Sequence, residues 1–139
     1  QDPPHSSVVD NLTQLLVPVL VGRARVRIQL PLAVSDDSEP EPDVAIVPLG
    51  DYSRSHPDRA HLVIEVAVTS QQKDLVVKGR LYAECGVPEY WVVDVAAREV
   101  HVHAQPNATG YAVVRRVGPG ESLAIAAFAD VSVAIAALF

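Results

Sequence analysis

The segment His61–Asp94, HLVIEVAVTSQQKDLVVKGRLYAECGVPEYWVVD, contains the pattern that decides the fold. It opens with an apolar run from Leu62 to Val68 that is interrupted by one carboxylate, Glu65. A run this apolar predicts a strand that is covered on both faces, so Glu65 should lie inside the protein. Because an unpaired carboxylate is costly to bury, Glu65 is expected to be protonated, paired with a cation or bound to a metal ion.

A helix and a second buried strand are predicted to follow this run. The apolar spacing indicates a helix from about Gln71 to Glu84, and Gly86 is placed to end it. Residues 89–94, EYWVVD, are again mostly apolar and predict a strand. Lys78 lies on the predicted helix, so this strand–helix–strand segment is where we expect the chemistry.

The rest of the chain predicts one N-terminal helix and several shorter strands. The helix should run from Val8 to Leu20, after a cap at Ser6 or Ser7. Pro3-Pro4 is expected to block regular structure before the helix, and Pro18 is expected to bend it or end it early. The predicted strands and the closing segment, in chain order, are 23–30, 44–47, 99–103, 111–117 and 123–127, then a helix or strand at 133–139. Segments 99–103 and 111–117 are expected to form an antiparallel meander.

Composition limits the class of protein. With 139 residues, 49% of them hydrophobic and 20% charged, the chain is expected to form one globular domain. It contains neither an apolar run of membrane-spanning length nor a signal peptide, so no membrane association is expected. The single cysteine, Cys85, excludes an internal disulfide and favours a cytoplasmic setting. The net charge of −6 argues against indiscriminate binding to nucleic acid.

Asp43 and Glu65 are the strongest candidates for a metal site. They lie at or in neighbouring predicted strands, and Lys78 is on the helix that follows the second strand. Two converging carboxylates are hard oxygen ligands suited to Mg²⁺ or Mn²⁺, and a nearby ammonium can stabilise charge on a phosphoryl group. From spacing alone, Glu65 and Lys78 could equally well form a buried ion pair.

His101 and His103 form a second, weaker candidate. They share one face of a predicted strand and could bind a metal as a pair. No third ligand is evident nearby in the sequence, so an exposed face of an edge strand is the favoured interpretation.

Several motifs resemble the Uma2 family of restriction-endonuclease-like proteins. These are PDVAIV, IEVA, DLVVK and YAECGVPEYWVVD, and the likeness extends from about Arg25 to Phe139. The resemblance implies the PD-(D/E)XK nuclease fold, an α/β (α+β) architecture in which helices flank a central mixed β-sheet. Members of this family carry more residues before the first helix, so the resemblance also implies that residues 1–139 form a single domain that lacks some N-terminal residues of the full-length protein.

The resemblance also assigns roles to the candidate residues. Pro42-Asp43 matches the PD motif, and Glu65 matches the acidic residue of the second motif. Where that motif commonly has lysine, this chain has Ala67, and in the Uma2 family a lysine of the following helix, here Lys78, stands in for it. The expected catalytic residues are therefore Asp43, Glu65 and Lys78, with Mg²⁺ or Mn²⁺ bound by the two acids.

Together with these patterns, the resemblance implies a metal-dependent endonuclease that hydrolyses phosphodiester bonds in DNA. A homodimer is expected, because a symmetric pair presents two sites to the two strands. An acidic protein needs a local basic rim to hold phosphate, for which the candidates are Arg23, Arg25, Arg27, Arg54, Arg59 and Arg80. The alternative is a non-catalytic dimerisation or partner-binding module that retains the nuclease fold, because function depends on the site and not on the fold.

Overall fold

The computed structural model describes residues 2–68 and 72–139, with the side chains of residues 72–74 excepted. Within these ranges the chain forms two α-helices, eight β-strands and a short 3-10 helix. In chain order they are α1 (Pro3–Leu20), β1 (Arg25–Ile28), β2 (Val44–Val47), β3 (Leu62–Ala67), α2 (Gln72–Glu84), β4 (Glu89–Asp94), β5 (Glu99–Asn107), β6 (Gly110–Val117), β7 (Ser122–Ile125), β8 (Phe128–Ala134) and the 3-10 helix Ile135–Leu138.

The central sheet has six strands in the order β1-β2-β3-β4-β5-β6. β3 and β4 pair in parallel, and every other neighbouring pair in this sheet is antiparallel. Parallel neighbours need a long crossover, and here α2 provides it. The predicted mixed sheet with flanking helices is therefore confirmed, with the strand–helix–strand segment at its centre.

Each face of this sheet buries its own apolar cluster. Leu62, Ile64 and Val66 of β3 pack against α1, in a core that also contains Trp91. The alternate residue Val63 joins the second cluster, which includes Tyr82 of α2. Because side chains of a strand alternate between its two faces, Glu65 projects to the α2 face. It is 4% exposed, as the apolar run around it predicts.

Helix α1 begins five residues earlier than predicted, at Pro3 instead of Val8. The inference that Pro3-Pro4 blocks regular structure was wrong, because the first helical positions need no backbone N–H and proline is tolerated there. The cap is Asp2, whose carboxylate accepts a hydrogen bond from the His5 amide at 3.2 Å. Pro18 lies inside the helix, which still continues to Leu20.

The C-terminal strands form a separate two-stranded sheet. The sequence predicted strand 123–127, whereas the structure has a hairpin of β7 and β8 joined at Ala126-Ala127. An alanine pair carries none of the glycine, asparagine or aspartate signals that mark tight turns, so the start of β8 was missed. Neither helix of the described chain has the combination of length and apolar character that a membrane crossing requires.

Candidate active site

Asp43 and Glu65 are brought together by the pairing of β2 with β3. Asp43 directly precedes β2, and the register Val44↔Ile64 aligns it with Glu65 of the antiparallel neighbour. The Asp43 backbone N–H donates to Glu65 Oε1 at 3.2 Å, and the Val66 N–H donates to Asp43 Oδ2 at 2.8 Å. Each carboxylate is thus held by a backbone amide of the opposite segment, which orients both groups at one place on the sheet.

Lys78 approaches the same place from α2. Its Nζ lies 3.4 Å from Glu65 Oε2, and its side chain is 36% exposed whereas that of Glu65 is 5% exposed. Tyr82, one helical turn later and therefore on the same helix face, donates its hydroxyl to Glu65 Oε2 at 3.1 Å. The three residues predicted from the sequence, Asp43, Glu65 and Lys78, therefore lie together.

The environment of Glu65 favours its neutral form. Burial raises the pKa of the Glu65 carboxyl above its ordinary value of 4.5, and the negative charge of Asp43 raises it further. The Lys78 ammonium opposes both effects and lowers that pKa. Burial and the adjacent Glu65 also raise the pKa of Tyr82, so its hydroxyl stays protonated and remains a donor. A carboxylate with a perturbed pKa and a cationic neighbour is typical of functional sites.

His5 is a fourth member of this group, and the sequence analysis missed it. Its Nε2 lies 3.1 Å from Asp43 Oδ1, and the two side chains are 15% and 14% exposed. His5 Nδ1 is buried and has no hydrogen-bond partner within the described residues. Because α1 starts at Pro3, it includes His5 and places it next to Asp43. The two residues are far apart in sequence and share no spacing pattern, so no sequence signal indicated this contact.

The two acids of this site are of the ligand type that a hard divalent cation takes. Asp43 and Glu65 are carboxylates held by backbone hydrogen bonds, and carboxylate oxygen suits Mg²⁺ and Mn²⁺. The same geometry also satisfies the ion-pair alternative, because Glu65 contacts Lys78 directly.

A second group of possible ligands lies further along the same sheet face. One ligand atom from each of Asp94, Glu99 and His101 falls within 4.8 Å of the others. Asp94 and Glu99 are cross-strand partners, and His101 Nε2 lies 2.9 Å from Glu99 Oε1. His101 thus has two carboxylate neighbours, Glu99 on its own strand and Asp94 on the adjacent strand β4. The sequence analysis did not anticipate this group, because the pairing of β4 with β5 is needed to bring Asp94 close.

The interpretation of His101 and His103 as exposed residues of an edge strand was wrong. β5 is paired on both sides, by β4 and by β6. His103 Nδ1 lies 3.1 Å from the carbonyl oxygen of Tyr90, and burial lowers the pKa of its imidazole. His103 is therefore a partly buried residue of the α2 face, and it does not belong to the group of possible ligands around His101.

The arginines of the N-terminal strand have separate environments. Arg23 lies before β1 and forms two hydrogen bonds of 2.8 Å with the Asp130 carboxylate. Arg25 and Arg27 pair with Val47 and Ala45, so they share the α2 face of the sheet with Asp43. β1 therefore contributes two arginines to the sheet face that carries the candidate site, whereas Arg23 is paired with Asp130 of β8.

The raised pKa of Glu65 predicts a pH dependence of stability. In metal-free protein the folded state keeps the Glu65 proton to higher pH than the unfolded state, so the contribution of Glu65 to the free energy of unfolding should fall as pH rises above 4.5. Glu65→Gln removes this titration. Urea unfolding of both proteins is measured in EDTA between pH 4 and 8. The free energy of unfolding of the variant is expected to increase relative to that of wild type as pH rises. A pH-independent difference would contradict the assignment.

Comparison with known proteins identifies the relatives of this chain. The model of the Uma2 family, described as "Putative restriction endonuclease", matches residues 1–136. Among solved structures, a protein from Anabaena variabilis ATCC 29413, titled a "putative nuclease belonging to DUF820", superposes with a TM-score of 0.77 at 18% sequence identity, covering 100% of this chain and 82% of that chain. None of the curated proteins matches the sequence. Since the family model extends over almost the whole chain, the protein belongs to the Uma2 family.

Proposed function

We propose that this protein is a metal-dependent endonuclease that hydrolyses phosphodiester bonds in DNA. The observation that carries the proposal is the convergence of Asp43, Glu65 and Lys78, with Lys78 Nζ 3.4 Å from Glu65 Oε2. Asp43 directly precedes β2, Glu65 lies in the neighbouring β3, and Lys78 lies on α2, the helix that connects β3 to β4. The family description is consistent with this chemistry.

Asp43 and Glu65 are the proposed ligands of Mg²⁺ or Mn²⁺. When bound, such an ion supplies positive charge that activates water and stabilises a phosphoryl group. The Asp43 and Val66 backbone amides hold the two carboxylates in their orientation before any ion binds. The Lys78 ammonium orients the attacking water and offsets negative charge in the transition state. The Tyr82 hydroxyl keeps Glu65 Oε2 directed towards Lys78.

His5 is proposed to position the Asp43 carboxylate for metal binding, because its Nε2 lies 3.1 Å from Asp43 Oδ1. Replacing His5 by glutamine should weaken Mn²⁺ binding by about tenfold, the effect typical of groups that orient metal ligands. Calorimetric titration measures this loss. His56, which lies in the exposed loop before β3, provides the matched control, and His56→Gln should leave the affinity unchanged. Equal affinities of wild type and the His5 variant would remove His5 from the site.

DNA is the proposed substrate in spite of the net charge of −6. Arg25 and Arg27 lie on the sheet face that carries Asp43, and Arg80 follows Lys78 on α2. These cations can contact phosphates, while a divalent ion offsets the carboxylates that would otherwise repel them. A homodimer would present two such sites to the two strands, and the single cysteine favours the reducing cytoplasm as the place of action.

The test is a nicking assay on supercoiled plasmid DNA with Mg²⁺, Mn²⁺ or EDTA. Wild type should nick the plasmid only with a divalent ion, and Glu65→Gln should be inactive under every condition. Binding of the same DNA by the variant in Ca²⁺ should weaken steeply as salt rises, because phosphate contacts release counterions. Absence of both nicking and metal-dependent binding would contradict the proposal.

A non-catalytic module is the second candidate, and one observation favours it. The ion pair between Glu65 and Lys78 gives the buried carboxylate a cation without any metal, and Ala67 occupies the position where the common motif has lysine. In that case Lys78→Ala would destabilise the fold by leaving the buried Glu65 carboxyl without its cationic partner, and the wild-type protein would neither bind Mn²⁺ nor nick DNA.

A further inference from the structure

A cavity of about 460 Å³ lies between α2 and strands β4 to β6, next to the proposed catalytic residues. Ala67, two residues after Glu65 on the same strand face, contributes to its wall. Val92, the cross-strand partner of Glu65, and Gly79, which follows Lys78, also line it. Two residues along a strand span only about 7 Å, so the cavity begins within one nucleotide of the site.

The lining combines apolar walls with aromatic rings and a few polar groups. α2 contributes Leu75, Val76 and Gly79, and the opposite side includes His103 and Tyr111. A mostly apolar wall with few polar groups at defined places is typical of pockets for small organic ligands.

The aromatic wall is rigid. The Tyr111 hydroxyl donates to the Val87 carbonyl oxygen at 2.8 Å, which fixes the ring. Tyr111 stacks at 6.1 Å on the ring of Tyr90, and His103 meets Tyr111 edge-on at 5.8 Å. Burial raises the pKa of Tyr111 and lowers that of His103, so both rings are uncharged near neutral pH. A fixed, neutral aromatic surface is suited to contact the face of a planar ring.

The polar groups of the cavity match the hydrogen-bonding edge of a base. Asp94, His101 and Arg80 line it, and Glu99 lies beside Asp94 and His101. A carboxylate accepts hydrogen bonds from an exocyclic amino group, as acidic side chains do with cytosine, and a guanidinium donates to ring nitrogen and carbonyl oxygen. The cavity therefore complements the ring of a nucleobase, with the sugar and phosphate directed towards Glu65 and Lys78.

We propose that this cavity binds one unpaired nucleobase of the nucleic acid whose backbone lies at the Glu65–Lys78 site. The inference rests on the proposed nuclease function and narrows its substrate to single-stranded DNA or to duplex DNA with a base turned out of the stack. A base that stays paired and stacked cannot enter a cavity between a helix and a sheet, so entry requires unpairing.

Binding of dAMP tests the proposal separately from catalysis. Calorimetry in EDTA compares dAMP with 2-deoxyribose 5-phosphate, which has the sugar and phosphate but no base. We expect dAMP to bind on the order of tenfold more tightly, the ratio expected for stacking of one base on aromatic side chains.

Two matched pairs of variants locate the binding. Ala96 lines the cavity and Ala97 does not, although both are exposed in the same turn. Val76 and Val77 form an equivalent pair on α2, 52% and 58% exposed, of which Val76 alone lines the cavity. Ala96→Trp and Val76→Trp should abolish the preference for dAMP, and Ala97→Trp and Val77→Trp should retain it.

The outcomes separate this inference from the proposed function. Equal binding of dAMP and 2-deoxyribose 5-phosphate, or an unchanged preference in both cavity variants, would overturn the base-binding cavity even if the protein nicks DNA. A preference for dAMP that both cavity variants abolish, in a protein that neither nicks DNA nor binds it with a divalent ion, would support the cavity and contradict the proposed nuclease.

Discussion

Lys78→Ala is expected to lower the kcat of DNA hydrolysis by at least a hundredfold. The variant removes the ammonium that lies 3.4 Å from Glu65 Oε2, and a charge directed at the transition state typically contributes a factor of about 10² to 10³. It also removes the cation that lowers the pKa of Glu65, so the carboxyl is more often protonated and less able to bind metal. Single-turnover cleavage of a labelled oligonucleotide with saturating Mn²⁺ measures the chemical step.

The control for this prediction is the conservative variant Lys78→Arg. It keeps the positive charge and should recover a measurable part of the rate, although a guanidinium does not reproduce the geometry of an ammonium. Val77→Ala, on the exposed side of the same helix turn, should leave kcat unchanged. A Lys78→Ala variant that is folded, binds DNA and cleaves at the wild-type rate would remove Lys78 from the catalytic site.

Mn²⁺ is expected to raise the melting temperature of the wild-type protein by about 10 °C. An ion present at 100 times its dissociation constant stabilises the folded state by about 2.7 kcal/mol. For a domain of 139 residues, 1 kcal/mol corresponds to roughly 3 to 4 °C. Asp43→Asn should abolish the gain, because it removes one of the two proposed carboxylate ligands. Differential scanning calorimetry with MnCl₂ and with EDTA measures the shift.

Asp94→Asn is the matched control, since Asp94 belongs to the other group of possible ligands on the same sheet face. This variant should retain the full gain in melting temperature. Loss of the gain in Asp94→Asn with retention in Asp43→Asn would transfer the metal site to Asp94, Glu99 and His101. No shift in wild type would instead favour the non-catalytic module.

The central sheet was predictable because its signals are local. The apolar run at Leu62–Val68, the helical spacing of 71–84 and the apolar strand at 89–94 each report burial within a few residues of chain. The carboxylate inside the first of these runs also marked Glu65 for pairing, and the structure places Lys78 and Asp43 beside it. Pattern alone did not distinguish a metal ligand from an ion-pair partner.

The remaining parts of the site depended on contacts between distant residues. His5 reaches Asp43 because α1 crosses the sheet and starts at Pro3, where two prolines obscured the beginning of the helix. Asp94 meets Glu99 and His101 through the pairing of β4 with β5.

The sequence by itself therefore determined which segments are buried and which carboxylate is buried with them, since burial leaves a periodic pattern in the chain. Tertiary structure alone decided which side chains meet His5, Asp94 and Tyr111 and how large a cavity they leave, because strand register and helix packing arise from the whole fold.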